Sequence, residues 1–405
     1  MQHGGGDLET TVLVVGAGPA GGDLARRLSL EGVDVLLADQ LTDLSRAAFS
    51  SAALPIASLH RFGLPASVVA QRWSRWQLHG PGDATRQWSG AGPLGAVLDF
   101  GALRQWLAEQ ARQWGGRVRL GLRALDCTPQ GDGWLLTRMR DREGRLCHCR
   151  SRWVIDASGH GRALIGEPQG PEPLLSGVGV EWLLEVERDC WQRWHDRISF
   201  CLGSDWIPQG YGWIFPMQPT VLKVGVCRFE DPGSAQPPLA PFLQGLIMRL
   251  LPLRPGETWR VLDRHGGRIR STIRRREPHR RGRLIGLGDA VSTANLLGGE
   301  GIRHAFSSSE VLAPLLVQAV REDREQPLEA YPRRLRRALG PRWNLSGRVA
   351  RRAWLGLRDS QADHHFARLL TGLEGCSGEE ISALFFDYRF ERYGTRALPY
   401  LLGLR

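Results

Sequence analysis

Four clusters of glycine and acid carry whatever chemistry this 405-residue chain performs. The first is Gly16-Ala17-Gly18-Pro19-Ala20-Gly21, followed 18 residues later by Asp39. In that GxGxxG spacing Gly16 permits a tight turn, Gly18 lets the backbone approach a pyrophosphate, and Gly21 allows a helix to pack closely on a strand. The exposed N–H groups and dipole of the following helix then stabilise phosphate charge. Asp39 is placed for a ribose hydroxyl. The second cluster is Asp156-Ala157-Ser158-Gly159 and the third Gly288-Asp289. The fourth, "LLGGEG", holds Gly298, Gly299, Glu300 and Gly301 and runs into Ile302. A turn needs one or two glycines, so this density points to a backbone that must come close to a ligand.

The elements that position these clusters are legible from hydrophobic pattern. Thr11–Val15 is an apolar strand, Gly22–Leu30 a helix, and Val33–Ala38 a second strand ending at Asp39. "SRWVIDASG" and "RGRLIGLGDA" are two more apolar strands, each ending in its acid. All three signals therefore sit at strand ends. "LDFGALRQWLAEQARQWGGRVRLGLRAL" (98–125) predicts a helix and then a strand, with Arg104 on the helix. Tyr211, Trp213 and Phe215 alternate in "YGWIFP", so in a strand they share one face. That face is either plain core or the wall of an apolar tunnel.

Composition narrows the class. The chain is 42% hydrophobic and 23% charged, with no low-complexity tract, as expected of a globular protein able to bury a core. Its formal charge of +11 favours anionic partners such as phosphates or a membrane surface. No recognition module accompanies the charge, so no nucleic acid partner is expected. Only Lys223 is a lysine among 53 cationic residues. The densest basic run, "RIRSTIRRREPHRRGR" (268–283), is expected to be a solvated hairpin and loop. Seven scattered cysteines argue for a reducing compartment. Cys147-His148-Cys149 falls in a strand with no second ligand pair, so no metal site is expected. No apolar run reaches the ~18–20 residues that span a bilayer, which makes the expected location cytoplasmic, at most peripheral to a membrane.

The ordered set GxGxxG, DASG and GD resembles the FAD-binding fold of the glutathione-reductase superfamily, in the branch shared with para-hydroxybenzoate hydroxylase. That resemblance implies an α/β chain. Its Rossmann-like FAD-binding domain would comprise 1–60, 98–164 and 268–330. An inserted, mainly antiparallel β substrate domain would comprise 61–97 and 165–267, followed by a mainly helical C-terminal region, 331–405. It further implies that Asp289 meets a ribityl hydroxyl, that Asp156 and Gly159 support the pyrophosphate region, and that Arg104 contacts FAD. More narrowly, "GDAVSTANLLGGEGIRHAF" is similar to the third motif of the geranylgeranyl reductase family, matching at Asn295, Gly299, Glu300, Gly301 and Ile302. "YGWIFP" resembles that family's aromatic strand. Leu296 replaces the family's proline, and "RAAFSSAALP" replaces its Cys-Gly-Gly stretch, although Ser50, Ser51, Ala52 and Ala53 are small enough for the same close approach.

In this fold the loop Leu297–Gly301 would pass beside the flavin ring, and the helix from Ile302 would stabilise negative charge on the reduced ring. Glu300 is either a helix acid or a proton donor. The implied activity is hydride transfer from reduced FAD to a carbon–carbon double bond of a geranylgeranyl-type isoprenoid, with Tyr211 and Trp213 nearest the flavin. NAD(P)H or a ferredoxin-like protein would supply electrons. Two alternatives share the fold: a monooxygenase using NAD(P)H and O2, and a non-redox cyclase needing an acid such as Glu181 or Glu185.

Overall fold

A computed structural model describes residues 7–46, 50–168, 170, 172, 174–251, 253 and 259–390. The glycine-rich leader, the closing "LPYLLGLR" and Ala47–Phe49 of the small-residue stretch lie outside the described residues.

Val12, Leu13, Val14 and Val15 are buried on both strand faces, as a central parallel strand requires. Leu8–Val15 accordingly sits mid-sheet, pairing in parallel with Leu146–Asp156 on one side and Val35–Asp39 on the other. Leu284–Gly286 adds in parallel beyond Leu146–Asp156, and Arg117–Leu120 beyond Val35–Asp39. The register aligns Val15 with Asp156 and Asp156 with Gly286, so three neighbouring strands end level with one another. Helices Pro19–Leu30 and Ile302–Glu322 cover the sheet through Leu24, Leu28, Leu312 and Leu316.

A second, seven-stranded sheet is antiparallel except where Arg197–Leu202 runs parallel to Arg75–His79. One face packs on helix Ala240–Leu250 through Leu222, Val224 and Leu243. The other face carries Tyr211, Trp213 and Phe215 beside Trp76. This is the expected α/β architecture: a parallel Rossmann-like sheet, a mainly antiparallel second sheet and a helical C-terminal region.

One expectation needs correction. The 268–283 run is not a solvated loop throughout: Arg275, Glu277 and His279 are all buried. Arg275 donates to the carbonyls of Val291 (2.7 Å) and Ser292 (2.5 Å), and Arg162 pairs with Glu277. The run thus supplies donors to the loop after Asp289. Burial and the neighbouring Arg275 push the His279 imidazole down to about 3, so it stays neutral. The C-terminal helices divide between the two sheets. Tyr331, Leu335 and Trp343 back the parallel sheet, but from Ala350 onward the packing is onto the aromatic face of the second sheet. The buried indoles there need acceptor partners, which this segment supplies: Trp76 donates to Ser382 (2.8 Å) and Trp88 to the Leu373 carbonyl (3.0 Å).

Candidate active site

The three strand-end clusters meet. A Cβ on Gly16, whose φ is +106°, would overlap the Ala157 carbonyl, and one on Gly288 (φ +62°) would lie 2.7 Å from Ala20 Cβ. A Cβ on Gly18 would meet nothing within 4 Å. Gly16 and Gly288 are therefore small to let protein segments touch, whereas Gly18 borders open space. The helix begins at Pro19 with Gly18 as its N-cap and no side-chain cap, so its first N–H groups face that space without a side-chain acceptor.

Acids organise the turns. Asp39 accepts from the N–H groups of Ala17 (2.6 Å) and Leu41 (2.8 Å), which ties the end of its strand to the glycine turn. Fully buried Asp156 accepts from Ser158 through one oxygen and from Leu164 (2.8 Å) and Ile165 (2.7 Å) through the other. It shapes the loop that contains Gly159 (φ +80°) and turns inward to do so. Asp289 accepts from Thr293 (3.1 Å), and its oxygens lie within 3.8 Å of where a Gly301 Cβ would stand. Burial pushes its carboxyl up, opposed by the Thr293 hydrogen bond and by Arg275 and Arg162.

Arg104 is buried on helix Phe100–Gln113, near Asp39 and Asp43 but in ion-pair contact with neither. Its guanidinium donates to the Arg46 carbonyl and stacks on Phe100, while Nε has no partner among the described residues. A buried cation with an unused donor fits an anionic or hydroxyl-rich ligand.

The fourth cluster is a small hairpin. Asn295 and Glu300 exchange backbone hydrogen bonds of 2.7 and 3.0 Å, Leu297 N–H bonds to the Asn295 side chain, and Trp354 donates to the Leu296 and Leu297 carbonyls. Gly299 (φ +64°) leaves room for the Tyr211 hydroxyl, which would stand 2.7 Å from a Cβ there. Ile302 follows as the first residue of the helix, behind its N-cap Gly301. Glu300 is buried. One carboxylate oxygen meets Arg303 (2.7 Å), His304 (3.1 Å) and the Tyr388 hydroxyl (3.5 Å); the other has no partner among the described residues. Burial pushes this carboxyl up against the pull of Arg303.

Between this hairpin and the aromatic face lies a cavity of about 170 Å³, with a smaller one of about 60 Å³ beside it; Ser50, Ser51, Phe200, Tyr211, Gly298 and Gly299 border both. Glycine makes the larger one: Gly179 and Gly267 face each other on adjacent strands and border it, where side chains would intrude. Trp213 lies across Gly225, and its indole donates to Glu181 (2.7 Å), which lines the same cavity. Glu185 is remote from this arrangement, paired with Arg260 at 2.7 Å and partly exposed. Tyr211, Trp213 and Phe215 are thus core residues and cavity wall at once.

A family model described as an FAD binding domain matches residues 9–74. Digeranylgeranylglycerophospholipid reductase of Haloferax volcanii is 27% identical over 315 residues, covering 75% of this chain and 74% of the relative. Menaquinone reductase of Mycobacterium tuberculosis is 26% identical over 331 residues, covering 76% and 77%. A geranylgeranyl bacteriochlorophyll reductase-like structure from Thermoplasma acidophilum superposes with a TM-score of 0.80 at 20% identity, covering 98% of this chain and 99% of that one. The chain is an FAD-dependent oxidoreductase similar to the geranylgeranyl reductases. FAD fits the residues present: open space at Gly18, an uncapped helix start, and the unpartnered Arg104 Nε among the described residues.

Two parts of this flavoprotein's site escape sequence reasoning. Lys223 is buried, and its ammonium donates to the carbonyls of Ser50 (2.7 Å), Ser51 (3.5 Å) and Leu98 (3.5 Å). Burial pulls it down, opposed by Glu181 and Asp99. A lone lysine within the apolar run "VLKVGV" was the available signal. The second is His265, which contacts Glu181 and lines the larger cavity. Its partner stands 84 residues away, and nothing in the local sequence marks it.

Proposed function

We propose that this chain reduces carbon–carbon double bonds in a geranylgeranyl-type isoprenoid lipid. The observation that carries this reading is the glycine-floored, aromatic-walled cavity opening onto Gly298 and Gly299. An extended apolar chain suits such a floor, because glycine leaves the pleated surface flat and the aromatic side chains close over it. The names of the reductase relatives support the same class of substrate. FAD, when bound and reduced, supplies a hydride equivalent. Gly16, Gly18, Pro19, Ala20 and Gly21, with Asp39 and Arg104, would hold its adenosine and phosphates. The Asp156–Gly159 turn would support the pyrophosphate region, the Gly288–Asp289 turn would meet the ribityl chain, and Gly299, Gly301 and Ile302 would approach the ring. Tyr211 and Trp213 would press the alkene into place. Glu300, already engaged by Arg303, His304 and Tyr388, is better suited to fixing the loop than to giving up a proton.

Trp213→Ala and Tyr211→Ala should retain FAD yet turn over a prenyl lipid at least about 10-fold more slowly, a loss of ~1.4 kcal/mol in transition-state stabilisation. Loss of flavin together with unfolding would assign these residues to the core alone. Product mass settles the reaction: reduction adds two hydrogens per double bond, monooxygenation adds oxygen, and cyclisation changes nothing.

Electrons would come from NAD(P)H or a ferredoxin-like donor, read out by which one bleaches the flavin. Peripheral contact with an anionic membrane is part of the proposal. Helix Tyr331–Leu339 buries Tyr331, Leu335 and Leu339 while exposing Arg333, Arg334, Arg336 and Arg337, with no acid in the helix. Among the described residues no helix is long and apolar enough to cross a membrane. Binding to phosphatidylglycerol vesicles at low salt, lost at high salt, is expected; no binding at low salt would remove the membrane from the proposal.

A further inference from the structure

Alkene reduction needs a proton as well as a hydride, and the wall of the larger cavity is apolar apart from a few groups. One polar chain crosses it. His265 Nε2 lies 3.0 Å from Glu181 Oε1, and His265 Nδ1 lies 3.2 Å from Asp263 Oδ2. The His265 and Glu181 side chains are nearly sealed, with 7% and 5% exposure, while Asp263 is 52% exposed. Cross-strand register explains the line. His265 faces Glu181, Glu181 faces Gly225, and Gly225 faces Trp213, all on the cavity side of the sheet. Because Gly225 has no side chain, Trp213 Nε1 reaches over it to the second Glu181 oxygen.

We infer that Asp263, His265 and Glu181 form the proton supply of the reaction, with Glu181 as the group that protonates the substrate. This rests on the alkene-reductase reading above. When hydride from reduced FAD forms a new C–H bond at one alkene carbon, the π pair takes the Glu181 proton at the other. The double bond becomes a single bond and the flavin ends oxidised. His265 then reprotonates Glu181, and Asp263, at the edge strand, refills His265 from water.

The electrostatics favour the proton on His265, from which Glu181 draws it as the alkene is reduced. Burial disfavours the His265 imidazolium, but hydrogen bonds and charge from Glu181 and then Asp263 outweigh it and raise the group above its ordinary value. Lys223, two residues along the neighbouring strand from Gly225 and within electrostatic reach of Glu181, and Arg228, which lines the same cavity, are the other charges near this wall. Glu300 is the competing acid, and burial pushes its carboxyl up against Arg303, but Arg303, His304 and Tyr388 already share one of its oxygens and tie it to the loop.

The test uses full-length, FAD-loaded enzyme, reduced anaerobically with dithionite and mixed with geranylgeraniol in detergent micelles. Glu181→Gln and His265→Gln should keep the bound-flavin spectrum while reoxidation slows by about 100-fold, the usual share of a general acid. Wild-type reoxidation should fall as pH rises through the elevated His265 titration, and in Glu181→Gln this limb should move to lower pH. A second measurement needs no substrate: in isotope-edited histidine spectra of the loaded enzyme, the His265 resonance should titrate at lower pH in Glu181→Gln. Reoxidation rates and pH limbs unchanged in both variants would overturn the relay. So would a His265 resonance indifferent to Glu181→Gln. If wild-type flavin stays reduced in the presence of the alkene, the alkene-reductase reading fails, while the histidine spectra still decide whether the pair shares a proton.

Discussion

Gly18→Val is expected to give a folded protein that no longer carries FAD. The three glycines of the N-terminal turn have different neighbours, and only one faces open space. A side chain on Gly16 would drive into the Ala157 carbonyl at a backbone conformation (φ +106°) that valine avoids, and one on Gly21 would drive into the Gly16 carbonyl. Both changes strike the junction between the parallel sheet and its first helix, so cofactor loss there could not be separated from unfolding. Gly18 is extended, with φ −74° and ψ −177°, a conformation valine adopts without strain, and its Cβ would meet no protein atom within 4 Å. The valine side chain would instead occupy the space at the helix start where the pyrophosphate is expected. FAD affinity should fall at least about 100-fold, or ~2.7 kcal/mol. The melting temperature of the FAD-free variant should match that of FAD-free wild type. A yellow Gly18→Val protein, retaining FAD through gel filtration, would show that the phosphates lie elsewhere.

The cofactor half of the site was legible because its signals are local. Each of the three turns carries its own strand and glycine within about ten residues, two carry their acid there as well while Asp39 closes the next strand, and parallel pairing then brings the strand ends level. Even so, the sequence did not say that Asp156 spends both oxygens on its own loop, since that depends on where Leu164 and Ile165 return. The substrate half was legible only as a stripe. Tyr211, Trp213 and Phe215 could be put on one face from their alternation, but the cavity below them is bordered by Gly179 and Gly267 on two other strands. Cross-strand register is a tertiary property, and no single strand records it. The same limit hid the pairing of His265 with Glu181. It also hid the burial of Arg275: a run of arginines has the pattern of a solvated loop until the carbonyls of Val291 and Ser292 are seen to need donors.

Lys223→Met should leave the fold standing and disable the site. The ammonium of Lys223 reaches from the second sheet to the carbonyls of Ser50 and Ser51, immediately before Ala52. Ala52 is buried in the left-handed region at φ +56°, which costs a non-glycine residue of order 1 kcal/mol and persists only where neighbours hold it. Lys223 is one such restraint; the Leu98 N–H, bonded to the Ala52 carbonyl at 3.0 Å, is another. Methionine matches lysine in length and removes a buried charge, a gain that offsets the carbonyls left without their donor, so net stability should change by less than about 2 kcal/mol. Positioning has no such offset. Ser50 and Ser51 border both cavities, and a displacement there of about 1 Å would slow flavin reoxidation by a prenyl lipid about 100-fold. Hydrogen exchange at Ser51 and Ala52 should accelerate in the variant, while exchange in the Leu8–Val15 strand stays slow. A pH signature should accompany this. Because burial lowers the folded-state value of Lys223, the unfolded chain binds the extra proton between that value and the ordinary ~10.4, so this lysine makes stability rise with pH across that window. Denaturant titrations should show that rise diminished in Lys223→Met. Unchanged exchange at Ser51 and Ala52, with turnover intact, would mean that the other contacts suffice to hold the segment and that Lys223 is only tolerated in the core.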